Sequence, residues 1–191
     1  MKKLIILLLL IILTGCGNQA LNVDESFGGI GDLDVGHVAD SGTTTFYGGF
    51  TVIDLTNPVN LSGKINLVDI RVTSNNNRNV IVGIFRGSGT SYACVDYESL
   101  GDLTTGLYED IVVDLDAQAG DFIGAIMPDF TSIRGGTTGG SGMMYKNGDQ
   151  TATGEQTYIL DADNWMALYG TGDSTDVVES IFIPPIITII N

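Results

Sequence analysis

Residues 108–116 read Tyr-Glu-Asp-Ile-Val-Val-Asp-Leu-Asp, and their alternation decides the fold class. Ile111, Val113 and Leu115 fall on one side of an extended chain, and Asp110, Val112, Asp114 and Asp116 on the other. A period of two belongs to a strand with one face buried and one in water, whereas a helix repeats every 3.6 residues. Upstream, 64–73 behaves the same way, with Val68, Ile70 and Val72 set against Asp69 and Arg71. The run 79–86 is apolar on both faces, as a central strand would be.

Working outward, further strand-like runs lie at 45–54, 90–97, 121–127, 142–146, 150–158, 165–171 and 179–190. Gly, Asn and Asp punctuate them. Gly120-Asp121 ends one run and starts the next. Lys146-Asn147-Gly148-Asp149 places Asn-Gly between two runs, the strongest short signal for a two-residue hairpin. The stretch 131–142 (TSIRGGTTGGSG) reads as a long loop, either a plain connection or part of a binding rim. With 26 glycines and few stretches of good helix formers, helices are disfavoured. Short strands at regular spacing predict an all-β fold, an antiparallel β-sandwich of jelly-roll-like type, over 44–191.

Ahead of it the chain begins Met1-Lys2-Lys3 and continues with Leu and Ile alone from 4 to 13. A positive start and a short apolar run are the layout of a secretory signal. A bilayer-spanning helix needs roughly 20 apolar residues, so this run is too short for a permanent span. Leu13-Thr14-Gly15-Cys16 follows directly and resembles the lipobox of bacterial lipoproteins. The resemblance implies a diacylglycerol on the Cys16 sulfur, cleavage after residue 15, and acylation of the new amine. The alternative is an ordinary signal peptide with a chance cysteine. Gly17, rather than Asp, follows Cys16, which implies the outer membrane in a two-membrane host and otherwise the outer face of the cytoplasmic membrane. Residues 16–43, polar and rich in Gly and Asp, read as the lipidated cysteine, a tether and the lead-in to the domain.

Composition bounds the partners. Without Lys2 and Lys3, 23 acidic side chains face six basic ones, a formal balance of −17. Such a surface repels phosphate backbones and excludes a nucleic-acid partner. The acidity suits the solubility of an exported domain. With Cys16 lipidated, Cys94 has no cysteine partner and reads as a small buried hydrophobe.

The search for chemistry returns little. No nucleophile elbow, zinc-protease helix, P-loop or EF-hand pattern is present. A single histidine, His37, leaves no Ser-His-Asp triad and no His-rich metal site. Carboxylates remain as the acid/base pair of an enzyme alternative. Asp161, Asp163 and Asn164 cluster oxygen donors near a turn, as do Asp32 and Asp34. Calcium takes such ligands, and a solvated turn is the alternative. Otherwise no cofactor is expected. Trp165 is the ligand-binding candidate, since an exposed Trp stacks on sugar rings. A single Trp in a sandwich is more often core.

The C-terminal run Ile181-Phe182-Ile183-Pro184-Pro185-Ile186-Ile187-Thr188-Ile189-Ile190 is too short to span a bilayer. It is expected to close the sandwich as a last strand, the alternative being an interface with a partner.

Several runs together carry a second resemblance: Asn79-Val80-Ile81-Val82-Gly83-Ile84-Phe85, Tyr92-Ala93-Cys94-Val95-Asp96, the segment 114–124, and Ala167-Leu168-Tyr169-Gly170-Thr171-Gly172. Over about 45–172 they are similar to uncharacterised β-sandwich domains of phage and environmental sequences, jelly rolls used for receptor binding, carbohydrate binding or capsid decoration. The resemblance implies a binding or structural module and carries over no functional residue. A lipobox in front departs from a virion component. The expectation is therefore a membrane-tethered, non-catalytic module for a carbohydrate or an envelope protein. The alternatives are a carbohydrate-active enzyme and a prophage-encoded envelope lipoprotein that blocks a receptor.

Overall fold

The computed structural model describes residues 32–39, 42–73, 77–127, 132–152 and 154–175. Cys16, the apolar run 4–13 and the C-terminal run 181–190 lie outside the described residues. Among the described residues every regular element is a strand. They are β1 (Asp32–His37), β2 (Thr44–Tyr47), β3 (Phe50–Asp54), β4 (Gly63–Val72), β5 (Asn77–Ser88), β6 (Ser91–Leu103) and β7 (Gly106–Ala117). Then come β8 (Phe122–Met127), β9 (Ser132–Gly136), β10 (Met143–Asn147), β11 (Gln156–Thr157), β12 (Ile159–Asp161), β13 (Trp165–Met166) and β14 (Leu168–Ser174).

The strands form two antiparallel sheets. The first has the order β1-β14-β4-β7 and the second β6-β5-β8-β3. Numbered among themselves, these eight skeletal strands run 1-8-3-6 against 5-4-7-2, the order of a jelly roll made of two Greek keys. The remaining strands are additions. β10 and β12 extend the second sheet beyond β3, and β11 touches the start of β6. β9 joins the end of β4 at Val72 and carries β2 and β13.

The core lies where the two inner faces meet. Leu33, Val35, Ile65, Val68, Ile70, Val113, Leu115 and Leu168 come from the first sheet. Val52, Val80, Val82, Ile84, Ile123 and Ala125 come from the second. Each buried aliphatic side chain contributes about 1.5–3 kcal/mol relative to exposure. The doubly apolar run 79–86 has its explanation here. Val80, Val82 and Ile84 face the inter-sheet core, while Ile81 and Phe85 face a second apolar layer with Ile53, Tyr92, Ile126, Met144 and Tyr158. That outer layer is held by edge-to-face rings, Tyr158 meeting both Phe85 and Tyr92. Gly83 and Gly124 sit opposite each other beneath it. A Cβ on Gly124 would lie 2.7 Å from a Phe85 ring carbon and 2.4 Å from the Val52 carbonyl oxygen, so the ring needs a glycine there.

The acidic side of β7 faces outward. Lys64 pairs with Asp114 and with Asp116, all three solvent-exposed, a type of pairing that adds little stability. The outer edge of β7 is shielded differently. The Asp116 N–H donates to Asp96 Oδ2 (2.7 Å) and the Asp114 N–H to Glu98 Oε2 (2.8 Å), both acceptors on β6. Carboxylates thus occupy donors that an edge strand would otherwise offer to another chain.

The structure departs from the sequence expectations in several places. Among the described residues the sandwich already includes Asp32–His37, ahead of residue 44, because Leu33 and Val35 of β1 are core residues in a Gly/Asp-rich context. The run 45–54 is not one strand. Gly48-Gly49, with Gly49 at φ +90°, lets the chain leave the first sheet after β2 and join the second as β3. The expected loop 131–142 contains β9, and among its described residues 137–142 are irregular. The run 165–171 is split at Ala167, whose N–H donates to the Arg134 carbonyl and whose carbonyl accepts from the Arg71 N–H.

The Asn147-Gly148 hairpin does not form. Of 150–158 only Gln156–Thr157 is strand, and β10 pairs with β3 and β12 instead. Side chains hold this corner: Thr51 Oγ1 donates to the Gly148 carbonyl, and buried Gln150 donates through Nε2 to the Asn147 carbonyl. These bonds replace the ladder that a hairpin would have made.

Candidate functional site

Strand parity builds a groove on the outer face of the first sheet. On β1, Leu33 and Val35 point inward, so Asp32 and Asp34 point out. On β14, Leu168 is inward and Tyr169, Thr171 and Asp173 line the outer side. Asn66 from β4 and Asn60 from the preceding loop complete a cavity of about 660 Å³. No lysine or arginine lines it.

The polar groups are held in place by one another. Tyr169 donates its hydroxyl to Asp34 Oδ2 (3.2 Å), and Asn57 Nδ2 donates to the same oxygen (3.4 Å). Asn60 Oδ1 accepts from the Asp34 N–H, and Asn60 Nδ2 donates to the Asp32 carbonyl, each at 3.0 Å. Asn66 Nδ2 donates to Asp173 Oδ2 at 2.6 Å. Burial, with the nearby Asp34 charge next, pushes the Tyr169 phenol above its ordinary range, so it stays neutral and donates. The result is an open face of fixed acceptors and amides around one tyrosine. Hydroxyl-rich ligands are matched by such a surface, whereas sulfated or phosphorylated ones meet three carboxylates with no counter-charge.

Burial pushes the Asp54 carboxyl above its ordinary range, and it is 0 % exposed, between the sheets and away from the groove. Its oxygens accept the Met166 N–H at 2.7 Å and the Thr56 N–H at 2.8 Å, a structural tie between β3 and β13. Asp121 is buried too and receives a two-pronged Arg86 guanidinium at 2.8 and 2.7 Å. Burial, followed by the Asp96 charge, pushes the Cys94 thiol up to about 12, so it remains protonated and is no nucleophile at neutral pH.

The residues singled out in the sequence fall as follows. Trp165 is buried, its ring stacked on His37 with centroids 3.7 Å apart and Nε1 donating to the Thr138 carbonyl. A Cβ on Gly136 would lie 2.4 Å from its indole, so the ring packs tightly over that glycine, and the side chain is 8 % exposed. Asp161 and Asp163 are exposed and Asn164 is buried. Asp163 adopts φ +63°, and the Asp163 and Asn164 carbonyls accept from Gly140 and Gly142, so a turn holds this segment. Among the described residues no three His, Cys, Asp or Glu side chains converge as a metal ion would require. The other acidic pair, Asp32 and Asp34, joins the groove. Asn57, Asn60, Asn66 and Asp173 were not signalled by any motif. Only the inward positions of their neighbours on the strands, once known, assign the outward ones to a shared face.

Fold and groove together define an acidic jelly roll with an open polar groove on one sheet face. No family model, curated protein or solved structure matches the chain.

Proposed function

We propose that this chain is an exported lipoprotein, anchored in the cell envelope through Cys16, whose jelly roll is a non-catalytic binding module for a neutral carbohydrate. The observation that carries the binding reading is the groove of Asp34, Asp173, Asn60, Asn66 and Tyr169. Its acceptors are pre-oriented, which lowers the ordering cost of binding, and its charge selects against anionic glycans. The location rests on the apolar run and lipobox of the sequence. A carbohydrate or glycan-bearing envelope component is the partner in this reading, and the bilayer is reached through the lipid on Cys16; among the described residues no helix is long and apolar enough to cross a membrane.

The test is a glycan array probed with the purified protein, followed by titration of any hit. Neutral glycans are expected to bind and sulfated ones to be rejected. Asp34→Asn combined with Tyr169→Ala should weaken a hit by about 10- to 100-fold, the loss of one charge-assisted hydrogen bond and one ring contact. Undiminished binding by the double variant, or binding only to sulfated glycans, would reject the groove as the site.

A further inference from the structure

We propose that a second cavity, at the seam between the sheets, binds a small alkylated ammonium group. The cavity measures about 230 Å³ and shares no lining residue with the sheet-face groove. Phe46 of β2 contributes from the first sheet, and Phe50 of β3 and Tyr145 of β10 from the second. Asp161 of β12, opposite Met143, brings a carboxylate to it.

Three features select a cation with an apolar body. First, the rings form walls. Phe50 and Tyr145 meet edge to face, centroids 5.8 Å apart and planes at 85°, which makes a right-angled corner. All three aromatics are half-buried, anchored in the core on one side and bounding the cavity on the other. The face of an aromatic ring is its negative side, and alkylated ammonium ions are held by such walls. Second, Asp161 is an acceptor of opposite charge. Asp161 is solvent-exposed, and its charge attracts a cation while giving a neutral ligand nothing. Third, no lysine or arginine lines the cavity, and the chain carries a formal charge of −15, which concentrates cations at its surface. The volume suits one compact headgroup, not an extended acyl chain.

The probe is choline chloride, titrated into the full chain and followed by nuclear magnetic resonance of the aromatic side chains. Its uncharged carbon analogue, neohexanol, serves as the control. Choline should bind, and neohexanol should bind about tenfold more weakly or worse. Tyr145→Leu and Phe50→Leu should each weaken choline about fivefold, and Asp161→Asn about threefold. Asp161 is exposed, so its variant keeps the test valid where a ring replacement disturbs folding. Equal affinity for neohexanol would reduce the site to a plain apolar cavity and overturn the proposal. So would choline binding that Tyr145→Leu and Asp161→Asn leave unchanged, or no saturation with choline at concentrations on the order of tens of millimolar. Glycan binding at the sheet-face groove is unaffected by any of these outcomes, so the two sites stand or fall separately.

Discussion

Replacing Asp54 with Ala is expected to cost about 1–4 kcal/mol of folding stability, because it strands the buried Met166 N–H and deprives the part-buried Thr56 N–H of its acceptor. Each unsatisfied buried donor costs about 1–3 kcal/mol, and a domain commonly has only about 5–15 kcal/mol in total. Urea denaturation checks this: the midpoint should fall sharply with the slope unchanged. Asp54→Asn should do less harm, since one oxygen remains for one of the two donors. The effect also carries a pH signature. Burial holds the folded carboxyl above its ordinary value of 3.8. The folded state therefore binds the proton more tightly than the unfolded chain. Stability from this group is fullest below the ordinary aspartate range and is lost as pH rises through the folded value. The penalty of Asp54→Ala should accordingly be larger in acid than at neutral pH. A penalty that grows with rising pH would show that the two N–H donors outweigh burial.

Replacing Cys16 with Ser is expected to abolish labelling by radioactive fatty acid and to block processing at that site. The thiol is the only group at that position that can form the thioether, and Ser cannot take its place. Each acyl CH₂ buried in lipid contributes ~0.8 kcal/mol, and a single chain holds only marginally, so two or three chains on one residue decide between anchored and free. With cleavage after residue 15 blocked, the precursor retains the apolar run 4–13. Membrane fractionation and intact mass of wild type and variant settle the matter. A Cys16→Ser protein of unchanged mass that still sediments with membranes would end the lipoprotein reading.

Much of the fold was legible in the sequence because burial on one sheet face writes itself as alternation. In 108–116 the inward series continues as Val113, Leu115 and Ala117, all buried, while Val112 is 77 % exposed. The doubly apolar run 79–86 also pointed to a central strand, and β5 is flanked by β6 and β8. What misled was local turn chemistry overruled from a distance. Asn147-Gly148 favours a hairpin, but Thr51 and Gln150 recruit the backbone there for the corner with β3. Gly-rich β1 and β9 lacked enough apolar residues to announce themselves, and their partners lie far away in sequence. The groove was illegible for a related reason. Asp34, Asn60, Asn66 and Tyr169 come from four separate segments, and only the topology sets them on one face. Asp161 shows the reverse case: its cluster with Asp163 and Asn164 suggested a metal, whereas the structure places it beside Phe50 and Tyr145.

The pairing of β1 with β14 sets Asp32 opposite Asp173, so among the described residues the first strand has its only ladder with the last. A chain made from its N-terminus therefore carries β1 without its ladder partner until β14 has emerged. Contacts so distant in sequence raise contact order and place such β-topologies among slow folders, in the millisecond-to-second range. Closure of the sandwich is therefore a late event of folding, and on the export route proposed above such a delay would leave the nascent polypeptide loose enough to thread a secretion channel.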